Sequence, residues 1–442
     1  MGMRRFAIVW FGQVVSLLGT GMTAFALTIW AWQKTGSATA LALVGLFSFG
    51  PAVIVSPLAG ALVDRWNRRW VMALSDLASG LSTLAVLTLF LAHRLEIWHL
   101  CIAGAFASVF QAFQWPAYSA AISLMGPKAQ YARASGMISL AESGSQVVAP
   151  ILAGTLLALI DLPGILVIDV VTFCVAIGAL MMIRIPQPSA TDEGRQGQGS
   201  LLKEAGYSFR YILQRPSLLW LQIVFFGGNF ISVLTSILLP PMLLARTGNS
   251  AHMLASVQSA EALGGTFGGL LMSVWGGPKR RIHGVLLGHS AFSLFGQLAL
   301  GLGRSLPFWA VAGLLGGMTT PVINGCNQAI WQAKVAPDVQ GRVFSVRRLI
   351  AQISAPIAML LAGPMADRLF EPAVRPGGIL EPVAAPLVGT GTGTGIALLF
   401  VACGLVGIVL GLVGYLFPIL RDVEARLDDH QGLTDSEIAV HA

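Results

Sequence analysis

SPLAGALVDRWNRR, residues Ser56–Arg69, lies between two long apolar segments. Gly60 is followed four residues later by Asp64-Arg65 and then by Arg68-Arg69, which spells G-x-x-x-D-R-x-x-R-R. A glycine at that point lets a neighbouring helix come close. An aspartate at a helix end can take the basic residues of the turn, or accept hydrogen bonds from the start of a facing helix. Charge that merely sets topology is the plainer reading of the same arginines. Asp76, one to two turns into the next helix, is placed to pair with Arg68 or Arg69.

Outward from this turn the chain reads as a membrane protein. Its 442 residues are 55% hydrophobic and 11% charged, and the mean hydropathy is +0.74. Soluble domains carry about 25% charged residues, and a helix needs about 20 apolar residues to cross a bilayer. Twelve runs qualify: 7–30, 39–62, 70–93, 97–118, 135–160, 163–184, 217–245, 251–275, 283–303, 307–331, 343–365 and 394–418. They are too long for barrel strands. With the N-terminus in the cytoplasm, 21 Lys and Arg fall on the inner side and 6 on the outer, alternating loop by loop. Both termini are therefore expected in the cytoplasm, in a multi-pass protein of the inner membrane. The net charge of +7 is explained by the anionic inner leaflet, so no nucleic-acid partner is expected. Cys101, Cys174, Cys326 and Cys403 all fall inside spans and form no C-x-x-C pair, which argues against a disulfide framework or a metal site. Arg4-Arg5 and the apolar run after them read as an uncleaved first helix, because the run is too long for a signal peptide.

The polar stretch Pro186–Ser200, PQPSATDEGRQGQGS, divides the spans six and six. The expected organisation is one half over 1–185, a linker over 186–216, a second half over 217–420 and a tail over 421–442. Leu201, Ala205, Phe209, Ile212 and Leu213 recur at helical spacing, as in an amphipathic helix lying on the inner surface. The halves echo one another. Gly154 follows Arg133 by 21 residues and Gly363 follows Arg342 by 21. Gly60-x-x-x-Asp64-Arg65 ends span 2 on the inner side, and Gly363-x-x-x-Asp367-Arg368 ends span 11 on the outer side. One spelling on opposite faces is what inverted repeats within each half produce.

Two carboxylates lie within spans. Glu142 is about 10 Å into span 5 and Glu261 about 15 Å into span 8, at 1.5 Å per residue. An acid near the membrane centre costs about 2.5–3.5 kcal/mol on insertion scales. It persists there by facing water, finding a partner or holding a proton, so either residue is a candidate proton carrier, with a structural hydrogen bond as the alternative. The glycine run Gly389-Thr-Gly-Thr-Gly-Thr-Gly395 has no following G-K-[S/T] and no preceding strand. It is not a P-loop and reads as part of a flexible outer loop of about 25 residues. No nucleotide is expected. The seven histidines are scattered through ends, loops and tails, so nothing suggests an enzyme.

Together these features resemble the major facilitator superfamily of secondary transporters, in the bacterial branch that holds macrolide-efflux proteins and the enterobactin exporter. Further residues carrying the resemblance are Phe11-Gly-Gln13, the run at 33–37, Glu261-Ala-Leu-Gly264, Trp275–Arg280, Gly341–Ser345 and Ala366–Pro372. It implies an all-α fold of twelve spans in two six-helix halves. It makes Gly60, Asp64, Arg65, Arg68, Arg69 and Asp76 an inner gate. Span 5 is similar to the glycine-rich antiporter pattern at Gly136, Ser145, Ala149, Pro150, Ala153 and Gly154, although Ser145, Ala149 and Ala153 stand where that pattern has glycine. Ordinary small-residue packing is the alternative. The resemblance implies that spans 5 and 8 meet across the halves, bringing Glu142 and Glu261 near one another. Asp169, in an outer scaffold helix, is expected to bond Thr172 or a neighbouring helix. Spans 1, 4, 7 and 10 are implied to line the cavity with Gln13, Thr20, Thr23, Trp30, Gln111, Gln114, Trp115, Asn229, Asn324, Asn327, Gln328 and Trp331. Such a wall suits a bulky amphipathic solute, not a small anion. The implied activity is efflux of a drug, macrolide or siderophore by alternating access. The protein would act as a monomer, with a proton or sodium as coupling ion and no other cofactor. An importer or facilitator of the same fold, or a lipid flippase, fits the same residues.

Overall fold

The structure, a computed structural model, describes residues 2–63, 66–125, 131–183, 209–335 and 337–426. Every regular element among them is helical. Hydrocarbon offers no hydrogen bonds, so a spanning chain must satisfy its own backbone, as a helix does. The first half consists of α1 (Gly2–Thr35), α2 (Ala38–Val63), α3 (Arg68–Leu91), α4 (Ile97–Met125) and α5 (Tyr131–Met181). The second contains α6 (Pro216–Arg246), α7 (Ala251–Trp275), α8 (Arg281–Ser293), α9 (Leu306–Lys334), α10 (Pro337–Pro364), α11 (Glu381–Val388) and α12 (Thr394–Val413). Two four-residue helices, α13 (Pro418–Arg421) and α14 (Val423–Arg426), follow. π-helical stretches at Leu294–Ala299 and Met365–Phe370 prolong α8 and α10.

Local chemistry sets the ends. Asn67 caps α3 by accepting from the Arg69 amide at 3.1 Å. Ser250 caps α7 through the Met253 amide at 3.3 Å. Gly276, at φ 73°, ends α7 in the left-handed conformation that glycine adopts without strain. Ten helices among the described residues are long and apolar enough to cross a membrane. The expected twelve is reached only by two further steps. One divides the 46-residue segment Gly136–Met181 at Asp161, where φ is 54°. The other adds α7, which has the length but carries His252, Gln258 and Glu261 and is not among the ten.

We call the face holding the α2–α3 turn the near face, and that holding the α1–α2 turn the far face. Toward the far face one continuous core joins both halves, with Phe25, Ile29 and Leu166 of the first half beside Leu238, Leu254 and Phe400 of the second. Toward the near face the core divides. One cluster belongs to the first half (Val9, Met72, Tyr118, Leu180) and another to the second (Leu221, Val285, Trp331, Val343). The halves are therefore packed together at the far end and have separate cores at the near end.

Most of the expected amphipathic helix after the linker lies outside the described residues; residues 209–213 are helical. The segment before α12 differs from the flexible loop expected. It folds into α11, and two arginines, Arg246 at the end of α6 and Arg304 in the turn before α9, hold it. Arg246 donates to the Val388 carbonyl at 3.0 Å and Arg304 to that of Pro386 at 2.9 Å. Glycines at φ 90°, 117° and 81° (389, 391 and 393) then make the turn into α12.

α7 and α9 cross on small residues. A Cβ on Gly268 would lie 2.2 Å from the Met318 carbonyl oxygen, and one on Gly264 2.0 Å from that of Leu314. Gly265 and Gly269, on the same helix, have nothing within 4 Å. Gly268→Val should therefore cost about 1–3 kcal/mol or more through overpacking, read as a lower Tm in detergent, while Gly265→Ala stays near the parent. Equal Tm values for the two variants would contradict the packing described.

Candidate functional site

The halves meet at the far face through directed contacts. Asp367, beyond the end of α10, places its carboxylate on the start of α2. It accepts from Ser37 Oγ at 2.7 Å, from the Ala38 amide at 3.1 Å and from the Thr39 amide at 2.8 Å. These α2 amides have no intrahelical acceptor, and the helix dipole adds positive potential there. Gly363 makes the approach possible, since a Cβ on it would stand 2.3 Å from the Thr39 Cα. Beside this clasp, Trp32 donates to Asn249 Oδ1 at 3.0 Å. Ser259 of α7 donates to the Val147 carbonyl of α5 at 2.8 Å, and Gly154 abuts Ala251 and Ala255.

Two adjoining cavities are lined mainly by the first half. The nearer, about 180 Å³, is lined by Gln13, Ser16, Thr20, Asp76, Gln111, Gln114 and Glu142 among others. The farther, about 430 Å³, takes Thr20, Thr23, Ser48, Thr83, Gln111 and Asp169 from the first half and reaches Ser236, Ile237 and Pro240 of α6. Thr20, Ser79, Gln111 and Phe173 line both. Thus Gln13, Thr20, Thr23, Gln111 and Gln114 share one wall system. Trp30 packs edge-on to Phe90 instead, and the Trp115 side chain lies outside the described residues.

Of the gate residues, Gly60 lies in α2, and Asp64 and Arg65 lie outside the described residues. Arg68 is buried at the start of α3. Arg69 does not pair with Asp76; it donates to the Met181 carbonyl at 2.6 Å. Asp76 is 1% exposed and is held by two amides, Gln13 Nε2 at 2.9 Å and Gln114 Nε2 at 2.7 Å. The carboxylate points into the bundle, away from the turn that carries the arginines.

In α5, Gly136 has open space around it, whereas the rest of the pattern packs. Ser145 donates to the Leu17 carbonyl at 3.1 Å. Ala149 sits where a Cβ on Gly21 would touch it at 2.8 Å, and Ala153 is fully buried beside the helical Pro150. The contacts of Gly154 with Ala251 and of Val147 with Ser259 set an antiparallel register between α5 and α7. It puts Glu142 and Glu261 within about one helical turn in height. They face different ways, however. Glu142 lines the nearer cavity, and the Glu261 Cβ is against Gly313 of α9.

Polar residues of the second half mainly join helices. Asn229 donates to the Ala351 carbonyl at 3.0 Å and to Ser354 at 2.5 Å. Gln328 accepts from Arg347 at 2.7 Å, and that guanidinium lies 5.1 Å from the ring centre of the buried Trp331. Asn324 is exposed, and Asn327 is fully buried with neither amide atom hydrogen-bonded.

The family model described as Major Facilitator Superfamily matches residues 9–359. The chain belongs to that superfamily. Macrolide efflux protein A of Streptococcus pyogenes is 27% identical over 372 residues, covering 83% of this chain and 90% of the relative. Multidrug efflux pump Tap of Mycolicibacterium fortuitum is 26% identical over 441 residues, covering 94% and 96%. Among solved structures, an inward-facing, unoccupied bacterial homolog of the human lysosomal transporter Spinster superposes with a TM-score of 0.65. It is 16% identical, with 92% of this chain and 95% of that one covered. The protein is thus a multi-pass membrane transporter with efflux-pump relatives.

Asp169, outside the transport residues named from sequence, joins this superfamily member's cavity wall. The signal was present as a stripe on α3, Asp76, Ser79 and Thr83, facing the α1 stripe Gln13, Ser16, Thr20 and Thr23 at the same helical spacing. A second missed residue is Asp367 as a clasp. Asp367→Ala removes three acceptor contacts, and a lost helix cap costs about 1 kcal/mol. Far-side labelling of a cysteine placed at Ser236, in a cysteine-free background, should therefore rise about fivefold. An unchanged rate would mean that the remaining contacts alone hold this face shut.

Proposed function

We propose that this chain is a proton-coupled exporter of bulky amphipathic small molecules, working by alternating access in the bacterial inner membrane. The near face is then cytoplasmic and the far face external, as the Lys and Arg distribution has it. The observation that carries the reading is the pair of cavities placed against a far-face seal. Their walls mix apolar and hydroxyl or amide side chains, and no Lys, Arg or His lines them among the described residues. Such a wall suits an amphipathic solute, with shape and a few hydrogen bonds fixing its orientation. The names of the macrolide and multidrug relatives support export of that class.

Separate near-face cores and a closed far face suit entry of the solute from the cytoplasm. Export then requires the far-face clasp to open and the near faces to meet, a rocking of one half on the other. The proton supplies the bias, because a ligand shifts such an equilibrium only through its differential affinity for the two states. Glu142 is the better placed of the two glutamates, since it faces the cavity shared by α1, α3, α4 and α5. Glu261 stands on the α9 side and serves packing.

The test uses purified protein in liposomes with a radiolabelled macrolide and, in parallel, a catechol siderophore. An imposed pH gradient should drive macrolide accumulation, and Glu142→Gln should reduce it about tenfold while Glu261→Gln stays within about twofold. Movement only down the solute's own gradient would make the chain a facilitator, and siderophore transport alone would reassign the substrate.

A further inference from the structure

Asp169 is an acid with no cation beside it among the described residues. It is 1% exposed and lies among the hydroxyls of Thr20, Thr23, Thr83 and Thr172. Thr83 donates to its Oδ2 at 2.9 Å. Thr172 spends its hydrogen on the Asp169 backbone carbonyl at 2.7 Å. In this geometry neither Oδ1 nor the buried hydroxyl of Thr23 makes a hydrogen bond within 3.5 Å, although the threonine hydroxyls stand close around the carboxylate. A carboxylate charge inside a bundle with no cation beside it is costly. A proton on Oδ1 removes that charge, and the threonine hydroxyls can serve either form, donating to the carboxylate or accepting from Oδ1–H.

The site is built by close approach. Gly19 has no side chain, and a Cβ there would stand 2.9 Å from Asp169 Oδ1 and 2.2 Å from Thr172 Oγ1. α1 therefore lies directly on the acid. From here a polar path leads toward the near face. Gln13, Ser16, Thr20 and Thr23 follow one face of α1 over about 15 Å, at 1.5 Å per residue. Asp76, Ser79 and Thr83 follow the facing side of α3, and the nearer cavity ends at Glu142. Asp76 is bridged to both Gln13 and Gln114, which bond each other at 3.0 Å. Spaces of 180 and 430 Å³ with these polar walls have room for water between the groups.

Each element packed around the path offers acids or neutral polar groups. α1 brings the glutamine, serine and threonines, and α2 brings Ser48. α3 brings Asp76, and α4 brings Gln111, Gln114 and Tyr118. α5 brings Glu142 and Asp169, and α6 brings Ser236.

We propose that Asp169 is a proton-binding site of the first half, and that protons pass from it by way of Asp76 to Glu142. This rests on the proton-coupled reading above and adds the far-side site to it. The step is balanced: with the far face open a proton from external water forms the Oδ1–H bond, and with the near face open one proton leaves Glu142 to cytoplasmic water. The imposed gradient drives it only together with outward movement of the solute, and no oxidant or reductant is needed.

The test measures the same macrolide with the full chain, both its gradient-driven accumulation in liposomes and its affinity across pH in detergent. In the parent, affinity should change about fivefold or more between acid and alkaline pH. Asp169→Asn should flatten that dependence and cut accumulation about tenfold. Thr83→Val and Thr23→Val should keep a pH dependence but move its midpoint. Should Asp169→Asn not give folded protein on gel filtration, the two threonine variants decide: a moved midpoint supports the site, and an unmoved one overturns it. A parent driven by the pH gradient, with Asp169→Asn and both threonine variants equal to it, overturns the Asp169 site and leaves proton-coupled export intact. A parent that ignores the pH gradient and responds to a sodium gradient overturns the proton-coupled reading itself, and this site with it.

Discussion

A lipid-embedded chain can place a polar group only where its own backbone, other protein groups or water satisfy it. That constraint orders this structure from its backbone to its acids. Among the described residues the hydrophobic runs become helices, because a helix satisfies its own peptide groups. Where helices begin or break, the exposed amides need acceptors from elsewhere. At the far face the start of α2 takes them from Asp367 of the other half. The contact satisfies helix amides, neutralises part of a dipole and ties one half to the other. Its geometry depends on Gly363, without which α2 could not approach.

The same constraint explains how much was legible in the sequence. Spans were legible because length and composition suffice, and the break near Asp161 was visible as a gap between two apolar runs. α7 was readable by its length and flanks even though its glycines and polar groups make it less apolar. Asp367 was readable as half of a repeated spelling, but its partner was not. Hydrogen bonds to the start of α2 join residues about 330 positions apart, and nothing local announces them. Asp76 shows the opposite error. Sequence proximity favoured Arg68 or Arg69, whereas the folded chain turns the carboxylate inward to Gln13 and Gln114, and Arg69 finds a carbonyl. Glycine and proline before α12 suggested a loop without fixed structure. Arg246 and Arg304, distant in the chain, supply the donors that hold it.

The two halves use polar residues differently. In the second, Asn229, Gln328 and Arg347 bond helix to helix, which tightens that half as a unit. In the first, Gln13, Thr20, Gln111 and Gln114 face connected spaces, and three acids stand along them. A substrate could gain contacts from either half, but a site whose charge changes can lie only where an acid is reachable and unpaired. In the proposed cycle the first half is accordingly the part that takes up the proton, and the second the body against which it moves.

This division gives the far-face clasp its place in the proposed cycle. Asp367 comes from the second half and the amides it holds from the first, so the contact survives only while the halves stay together at that face. Gly60-x-x-x-Asp64 repeats the spelling on the opposite face. By the inverted-repeat logic it is suited to make the matching contact when the near faces close. A helix start can hold an acid strongly only at short range, because the dipole's influence falls away within a turn. Two such clasps on opposite faces cannot both be made by halves that rock. In the proposed cycle each would favour one state alone, which is the condition under which binding a solute or a proton can decide between them.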